Sequence, residues 1–362
     1  MADTAIEWAD RVWNPTTGCD RVSPGCDHCY AMTMAKRLKG MGSAKYQRDG
    51  DPRTSGPGFG VSVHPDVLGL PLKWRKPQRI FVNSMSDLFH DQVPDEYIAK
   101  VFAVMAVARR HTFQVLTKRH GRMRAVLSKQ SFPELVTTWA WRIHAGAALG
   151  LPHGNSSYSR TAVAWPLPNV WLGVSAENQQ WANIRIPALL DTPAAVRFVS
   201  AEPLLGPIDL TSWIGCPHDS LSGVDQEPIA SPTKRWRCDQ CRASVLDGTV
   251  TNVGLHWVIT GGESGPGARP AHPDWFRSIR DQCQAVGVAY LHKQNGEFRR
   301  WQLSDQPGRL LYVHRETGAI TGDPYDSGEA SGLWTAMCRV GKHRAGRELD
   351  GRTWDGYPGE AS

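Results

Sequence analysis

Cys19, Cys26 and Cys29 lie within eleven residues of one another, in the stretch Trp13-Asn14-Pro15-Thr16-Thr17-Gly18-Cys19-Asp20-Arg21-Val22-Ser23-Pro24-Gly25-Cys26-Asp27-His28-Cys29-Tyr30. Three thiolates on so short a loop can hold three irons of a 4Fe–4S cluster and leave the fourth open to a small molecule, whereas most such clusters are held by four thiolates. Gly18 and Pro24-Gly25 supply the turns that would let the loop wrap a cluster. Zinc is the competing reading, with His28 as a fourth ligand, but His28 lies between Cys26 and Cys29, a poor position from which to chelate alongside both. Plain thiols are the third reading.

A second group, Cys216-Pro217-His218 with Cys238-Asp239-Gln240-Cys241, has the form of a zinc-ribbon knuckle. Cys216, His218, Cys238 and Cys241 would complete a tetrahedral zinc site of structural type, because every ligand would come from the protein. An auxiliary Fe–S cluster and reduced thiols are the alternatives. Cys283 and Cys338 stand alone and read as core or surface thiols. Clustered cysteines in a chain of 362 residues without a signal-peptide pattern point to a reducing, cytoplasmic setting and to metal rather than disulfides.

The elements that must position these groups alternate. Apolar runs at 79–83, 112–117, 170–175, 196–200, 256–260 and 288–291 read as buried parallel strands. Helices are expected over 94–110, 119–127, 178–190 and 273–286. This rhythm predicts an α/β fold with a parallel sheet, as a partial or complete (β/α) barrel. Such folds place their sites at the C-terminal ends of strands. Polar residues cluster there: Asn83, Ser84, Ser86 and Asp87; Lys118 with Arg119; Ser175, Glu177 and Asn178; Glu202; and Gly261, Gly262 and Glu263. Each set on its own reads equally well as caps and turns. The Gly- and Pro-rich segment 43–72 reads as an ordered loop beside the cysteines or a lid. The domain reading is a core over 1–211 and 253–362 with an insertion over 212–252.

The net charge of +6 is compatible with a nucleic acid or an anionic small molecule as partner. Lys234-Arg235-Trp236-Arg237 pairs basic groups with an aromatic, as nucleic-acid contacts do. The basic run Lys342, His343, Arg344, Arg347 and Arg352 suits phosphates, or equally a solvated face balanced by Glu348 and Asp350. No apolar stretch of about 18 residues occurs, so no membrane span is expected.

Three cysteines ending in Cys-x2-Cys-Tyr ahead of an α/β barrel resemble the radical S-adenosylmethionine enzymes. Their usual spacing is Cys-x3-Cys-x2-Cys, and the first gap here is three residues longer. More closely, the chain resembles an uncharacterised phage and bacterial three-cysteine-motif family. The matching stretches are 13–19, Cys26-x2-Cys29-Tyr30-Ala31, 81–89, Leu116-Thr117-Lys118-Arg119, 171–175, 200–204, 261–265 and 346–352. The resemblance to the radical enzymes implies a barrel of radical-enzyme type, a 4Fe–4S cluster, S-adenosylmethionine on the open iron, an electron donor, and hydrogen abstraction by a 5′-deoxyadenosyl radical. On that footing the strand-end groups at 83–87, Lys118, Ser175, Glu177, Asn178, Glu202 and 261–263 become cofactor-binding candidates. The expected substrate is a nucleic acid or nucleotide that is modified or repaired. No residue is singled out as catalytic. A zinc-dependent nucleic-acid-binding module without radical chemistry is the runner-up.

Overall fold

The computed structural model describes residues 4, 6–144, 162–215, 235–237, 244–246, 249–250, 254–302, 310–323 and 332–359. In chain order the elements are β1 (Arg11–Trp13), β2 (Thr16–Thr17), α1 (Tyr30–Gly40), β3 (Ser62–Val63), α2 (Leu70–Lys73), β4 (Arg79–Val82), α3 (Asp95–Val107), β5 (Thr112–Thr117), α4 (His120–Leu127), α5 (Phe132–His144), β6 (Val170–Ser175) and α6 (Gln179–Leu190). There follow β7 (Val196–Ala201), β8 (Arg235–Arg237), β9 (Ser244–Leu246), β10 (Thr249–Val250), β11 (Trp257–Gly261), α7 (Pro273–Ala285), β12 (Ala289–Gln294), β13 (Phe298–Arg300), β14 (Leu310–His314), β15 (Ile320–Thr321), β16 (Trp334–Arg339) and α8 (Lys342–Ala345).

The main sheet has seven strands in the order β1-β4-β5-β6-β7-β11-β12. β1 with β4, β4 with β5, β5 with β6, β7 with β11 and β11 with β12 pair in parallel, in register Val82↔Val115 between β4 and β5 and Val115↔Leu172 between β5 and β6. The order ends at β1 and β12, so of the two barrel forms expected it is the partial one that this mixed α/β fold is consistent with. The chain divides into two compact units: residues 1–175 with 187–196, and residues 176–186 with 197–362.

In the first unit, α3 is apolar on nearly all faces, with Ile98, Val101, Phe102 and Met105 buried, so it must be covered on more than one side. The apolar stripe Phe132, Val136, Ala140 and Ile143 of α5 is buried too, and Phe102 and Phe132 meet edge to face at 5.7 Å. On the strands, Ile80, Val82, Phe113 and Val115 are fully buried. In the second unit, Trp275, Phe276, Ile279 and Cys283 form the buried face of α7, and Phe198, Trp257 and Leu291 supply the sheet side. Cys283 and Cys338 are both buried thiols, and burial pushes that of Cys283 up to about 12. The second unit also carries an antiparallel sheet in the order β13-β16-β14-β15, which the alternating pattern of the sequence does not announce.

The second cysteine group, Cys216, His218, Cys238 and Cys241, lies outside the described residues, as does Lys234; of the basic-aromatic run only the β8 backbone is described. Among the described residues no helix is long and apolar enough to cross a membrane.

Candidate functional site: the three-cysteine loop

The loop that carries the cysteines leaves β1 and returns as α1, so it is the first strand-to-helix connection of the parallel sheet. Its course is fixed by the stretch that follows the neighbouring strand β4. The Asn83 N–H donates to the Trp13 carbonyl at 2.8 Å. The Asn14 side chain faces Ser84: its Nδ2 donates to Ser84 Oγ and its Oδ1 accepts from the Met85 N–H at 3.2 Å. Thr16 N–H donates to Asn83 Oδ1 at 3.4 Å, and Ser86 Oγ donates to the Thr16 carbonyl at 2.9 Å. Gly18 N–H closes the lacing on the Met85 carbonyl at 3.0 Å. Asn83 makes this possible by taking a left-handed backbone conformation, φ 64°, which asparagine tolerates better than most residues.

Gly18 itself has φ 87°, and a Cβ there would lie 2.4 Å from the Gly60 carbonyl oxygen. The segment 43–72 is therefore pressed against the cysteine loop, as an ordered neighbour rather than a separate lid. It adds Thr54 Oγ1 and Ser55 Oγ, which donate to Asp20 Oδ1 at 2.6 and 2.9 Å. The other oxygen of Asp20 meets His90 Nε2 at 2.8 Å. Because His90 Nδ1 accepts the Gln92 N–H, the ring proton sits on Nε2 and is donated to Asp20. Burial raises the Asp20 carboxyl, but the bonds from Thr54, His90 and Ser55 outweigh it and hold the group below the usual carboxylate range.

Cys26 ends a single helical turn, its N–H on the Ser23 carbonyl, and Cys29 N–H follows on the Cys26 carbonyl. Cys29 is the residue at the N-terminus of α1, and Tyr30 beside it donates its hydroxyl to the Ser84 carbonyl at 2.5 Å. Cys19 and Cys29 pack against one apolar cluster, formed by Ala31, Ala35, Tyr46, Phe59 and Met85. All three thiols are half-buried. Burial, reinforced by the charge of Asp87, pushes the Cys19 thiol up to about 12, although Arg119 hydrogen-bonds it and opposes the shift. A thiol held that high is protonated at neutral pH and makes a poor free nucleophile, so general nucleophilic catalysis by Cys19 is disfavoured. A metal ion displaces such a proton outright. Among the described residues no three His, Cys, Asp or Glu side chains converge at metal-binding distance.

Asp87 and the start of α4 complete the surroundings. Asp87 is buried and accepts Thr117 Oγ1, the Lys118 N–H and the Phe89 N–H. Arg119 N–H donates to Thr117 Oγ1, and its Nη1 lies 3.8 Å from Asp91. Two buried donors here have no hydrogen-bond partner: Asn83 Nδ2 and Arg119 Nε.

The structure thus brings Cys19, Cys26, Cys29, Asn83, Ser84, Ser86, Asp87 and Lys118 together around one loop. It gives most of the polar ones a job in positioning that loop. Asp20, His90, Thr54, Ser55 and Asn14 are participants that the sequence reading passed over. Asp20, next to Cys19, carried a signal; the others are joined to it only through tertiary contacts.

The remaining candidates are already engaged locally. Ser175 is buried. In the second unit, Glu177 forms a fully buried ion pair with Arg185 at 3.0 Å. Asn178 Oδ1 accepts the Trp181 N–H, as a helix-capping residue does. Glu202 accepts Ser200 Oγ and pairs with Lys293 at 3.2 Å. Gly261 is required by Glu202, whose Oε1 would lie 2.3 Å from a Cβ, and Gly262 by the Asn295 carbonyl at 2.2 Å. Those glycines accommodate the protein's own groups. Glu263 is clamped by Arg269 through two side-chain bonds and the Arg269 N–H.

The model of one family, described as "Protein of unknown function (DUF5131)", matches residues 3–358. The chain belongs to that family. No curated protein and no solved structure matches it. Membership assigns no activity to the cysteine loop.

Proposed function

We propose that the Cys19–Cys29 loop holds a 4Fe–4S cluster and that the protein is a radical S-adenosylmethionine-type enzyme acting on a nucleic acid or nucleotide. The observation that carries this reading is the scaffold: a connection bearing three thiols is laced residue by residue onto the end of β4, through Asn14, Thr16 and Gly18. Three thiols on one connection are the donor type that a cluster takes. Two of the thiols share one apolar bed, and Cys19, whose pKa burial raises, is protonated unless a metal takes the proton's place.

Cys19, Cys26 and Cys29 would hold the cluster. When bound, cluster and cofactor supply one-electron reduction and hydrogen abstraction, chemistry that side chains lack. The chain's own part is to bind, orient and exclude water. Asn83 Nδ2 and Arg119 Nε, buried donors without partners, suit an anionic or carbonyl oxygen of a ligand. Lys118 suits a carboxylate. Asp87 has its oxygens taken by Thr117, Lys118 and Phe89, and so serves as an anchor for the loop more than as a ligand. The net charge of +6 supports an anionic substrate. An external electron donor is required.

The test is product formation. Protein purified without oxygen and reduced by dithionite with S-adenosylmethionine should release 5′-deoxyadenosine, and Cys26→Ala should not. A colourless protein that carries zinc alone and binds oligonucleotides would replace this reading with that of a zinc-dependent nucleic-acid-binding module.

A further inference from the structure

The first unit has a concavity at the N-terminal ends of β5 and β6. After α3 the chain turns through Arg109 and Arg110 into His111 at the start of β5. The segment before β6 faces this turn and encloses with it a cavity of about 400 Å³. Val163 and Leu167 give it an apolar wall, while Arg109, Arg110, His111 and Asn169 give it a polar one. Among the described residues no acidic side chain lines it. The size falls within the range of small-molecule sites, about 300–1,000 Å³.

The walls are held in place by the backbone. Asn169 Nδ2 donates to the Met105 and His111 carbonyls at 3.1 and 3.0 Å, and the Phe113 N–H donates to the Asn169 carbonyl at 2.8 Å. Arg110 gives one N–H to the Trp74 carbonyl at 3.2 Å, of the five its guanidinium carries. His111 is buried and its Nε2 meets the Pro71 carbonyl at 3.1 Å, which fixes the proton on Nε2. Its Nδ1 is sealed in the interior, and the ring also meets the Trp74 backbone, so the imidazole holds the wall in place. Burial, with the charges of Arg110 and Arg11 nearby, keeps this ring neutral by lowering its pKa.

Two consecutive arginines beside an apolar wall describe one kind of ligand. We infer that this cavity binds a phosphorylated small molecule with a flat or apolar body, for which AMP serves as the probe. The phosphate meets Arg109 and Arg110, whose planar forks match its oxygens. The body of the ligand lies on Val163 and Leu167. The site stands apart from the cysteine loop and does not depend on a cluster being there.

Isothermal titration of the full-length protein with AMP, inorganic phosphate and adenosine tests this. AMP should bind, inorganic phosphate should compete with it, and adenosine should bind about tenfold or more weakly. Arg110→Ala and, separately, Ala164→Trp, which obstructs the cavity without removing charge, should each weaken AMP about tenfold or more. Cys26→Ala should bind AMP as the wild type does. Should Arg110→Ala fail to fold, Ala164→Trp decides. Wild-type protein that binds neither AMP nor phosphate overturns the inference, as does equal affinity for AMP and adenosine. So does AMP binding untouched by Ala164→Trp, or lost in Cys26→Ala, since either would put the nucleotide elsewhere.

Discussion

The Asp87 carboxylate accepts the Thr117 hydroxyl, with its two oxygens at 2.7 and 2.9 Å, and so ties the residues following β4 to the last residue of β5. The same carboxylate takes the Lys118 and Phe89 N–H groups, and its charge reaches Cys19. One buried anion thus sets the spacing between the sheet and the cysteine loop.

Asp87→Asn should disturb both. The amide puts N–H groups where the Thr117 and Lys118 donors now point, so donors would face donors in a buried site. The loss should be about 2–4 kcal/mol of unfolding free energy, measured in urea, because hydrogen bonds to a charged group are lost and a buried donor is left unmet. Iron retained after anaerobic reconstitution should fall with it.

Gly18→Ala should be worse than its size suggests. The position has φ 87° and its Cβ would overlap the Gly60 carbonyl oxygen at 2.4 Å, so backbone must move as well as strain. About 2–3 kcal/mol or more is expected, seen as a lower thermal midpoint. Gly42→Ala, which also has positive φ but open space around the Cβ, should cost less.

The Glu177–Arg185 pair should behave as a buried ion pair of structural kind. Removing one partner, as in Glu177→Leu, strands the other charge in the interior and should cost about 3–5 kcal/mol. The double variant Glu177→Leu with Arg185→Met should recover much of that loss. Equal losses in single and double variants would mean that the charges were not paired with each other.

Acid should destabilise the protein through two buried histidines of the second unit. Burial lowers His272 and His292 from 6.5 to about 4. Both are neutral in the fold, while in the unfolded chain they bind a proton below about 6.5, so the unfolded state takes up more protons in that window. Stability is therefore full above pH 6.5 and falls as pH drops towards 4, on the order of 2–3 kcal/mol for each ring. Urea midpoints at pH 7.5 and 4.5 should show this fall, and His272→Gln should flatten it.

Much of the frame was legible because buried parallel strands are near-continuous apolar runs: β5 and β6 coincide with the segments read from sequence, and β4, β7, β11 and β12 differ by one to three residues at an end. The helices α3, α4, α6 and α7 were equally visible in their spacing. β1 was missed because three residues carry no period. α5 was missed although Phe132, Val136, Ala140 and Ile143 recur at helical spacing. At the site, the cysteines and Asn83-Ser84-Met85-Ser86-Asp87 stood out by residue type, but type does not distinguish a side chain that binds a ligand from one that binds the loop beside it. Asn14, Thr54 and His90 reach the site only through folding, and Gly261 answers to the Glu202 side chain, a contact that no spacing encodes.

The most direct measurement is iron and acid-labile sulfide per chain, with the visible spectrum, in anaerobically reconstituted wild type and Cys26→Ala. The account predicts a brown wild-type protein with about four irons and four sulfides at the loop, lost in Cys26→Ala while the fold is retained by circular dichroism. Colourless wild-type protein, or iron and sulfide unchanged in Cys26→Ala, would contradict it.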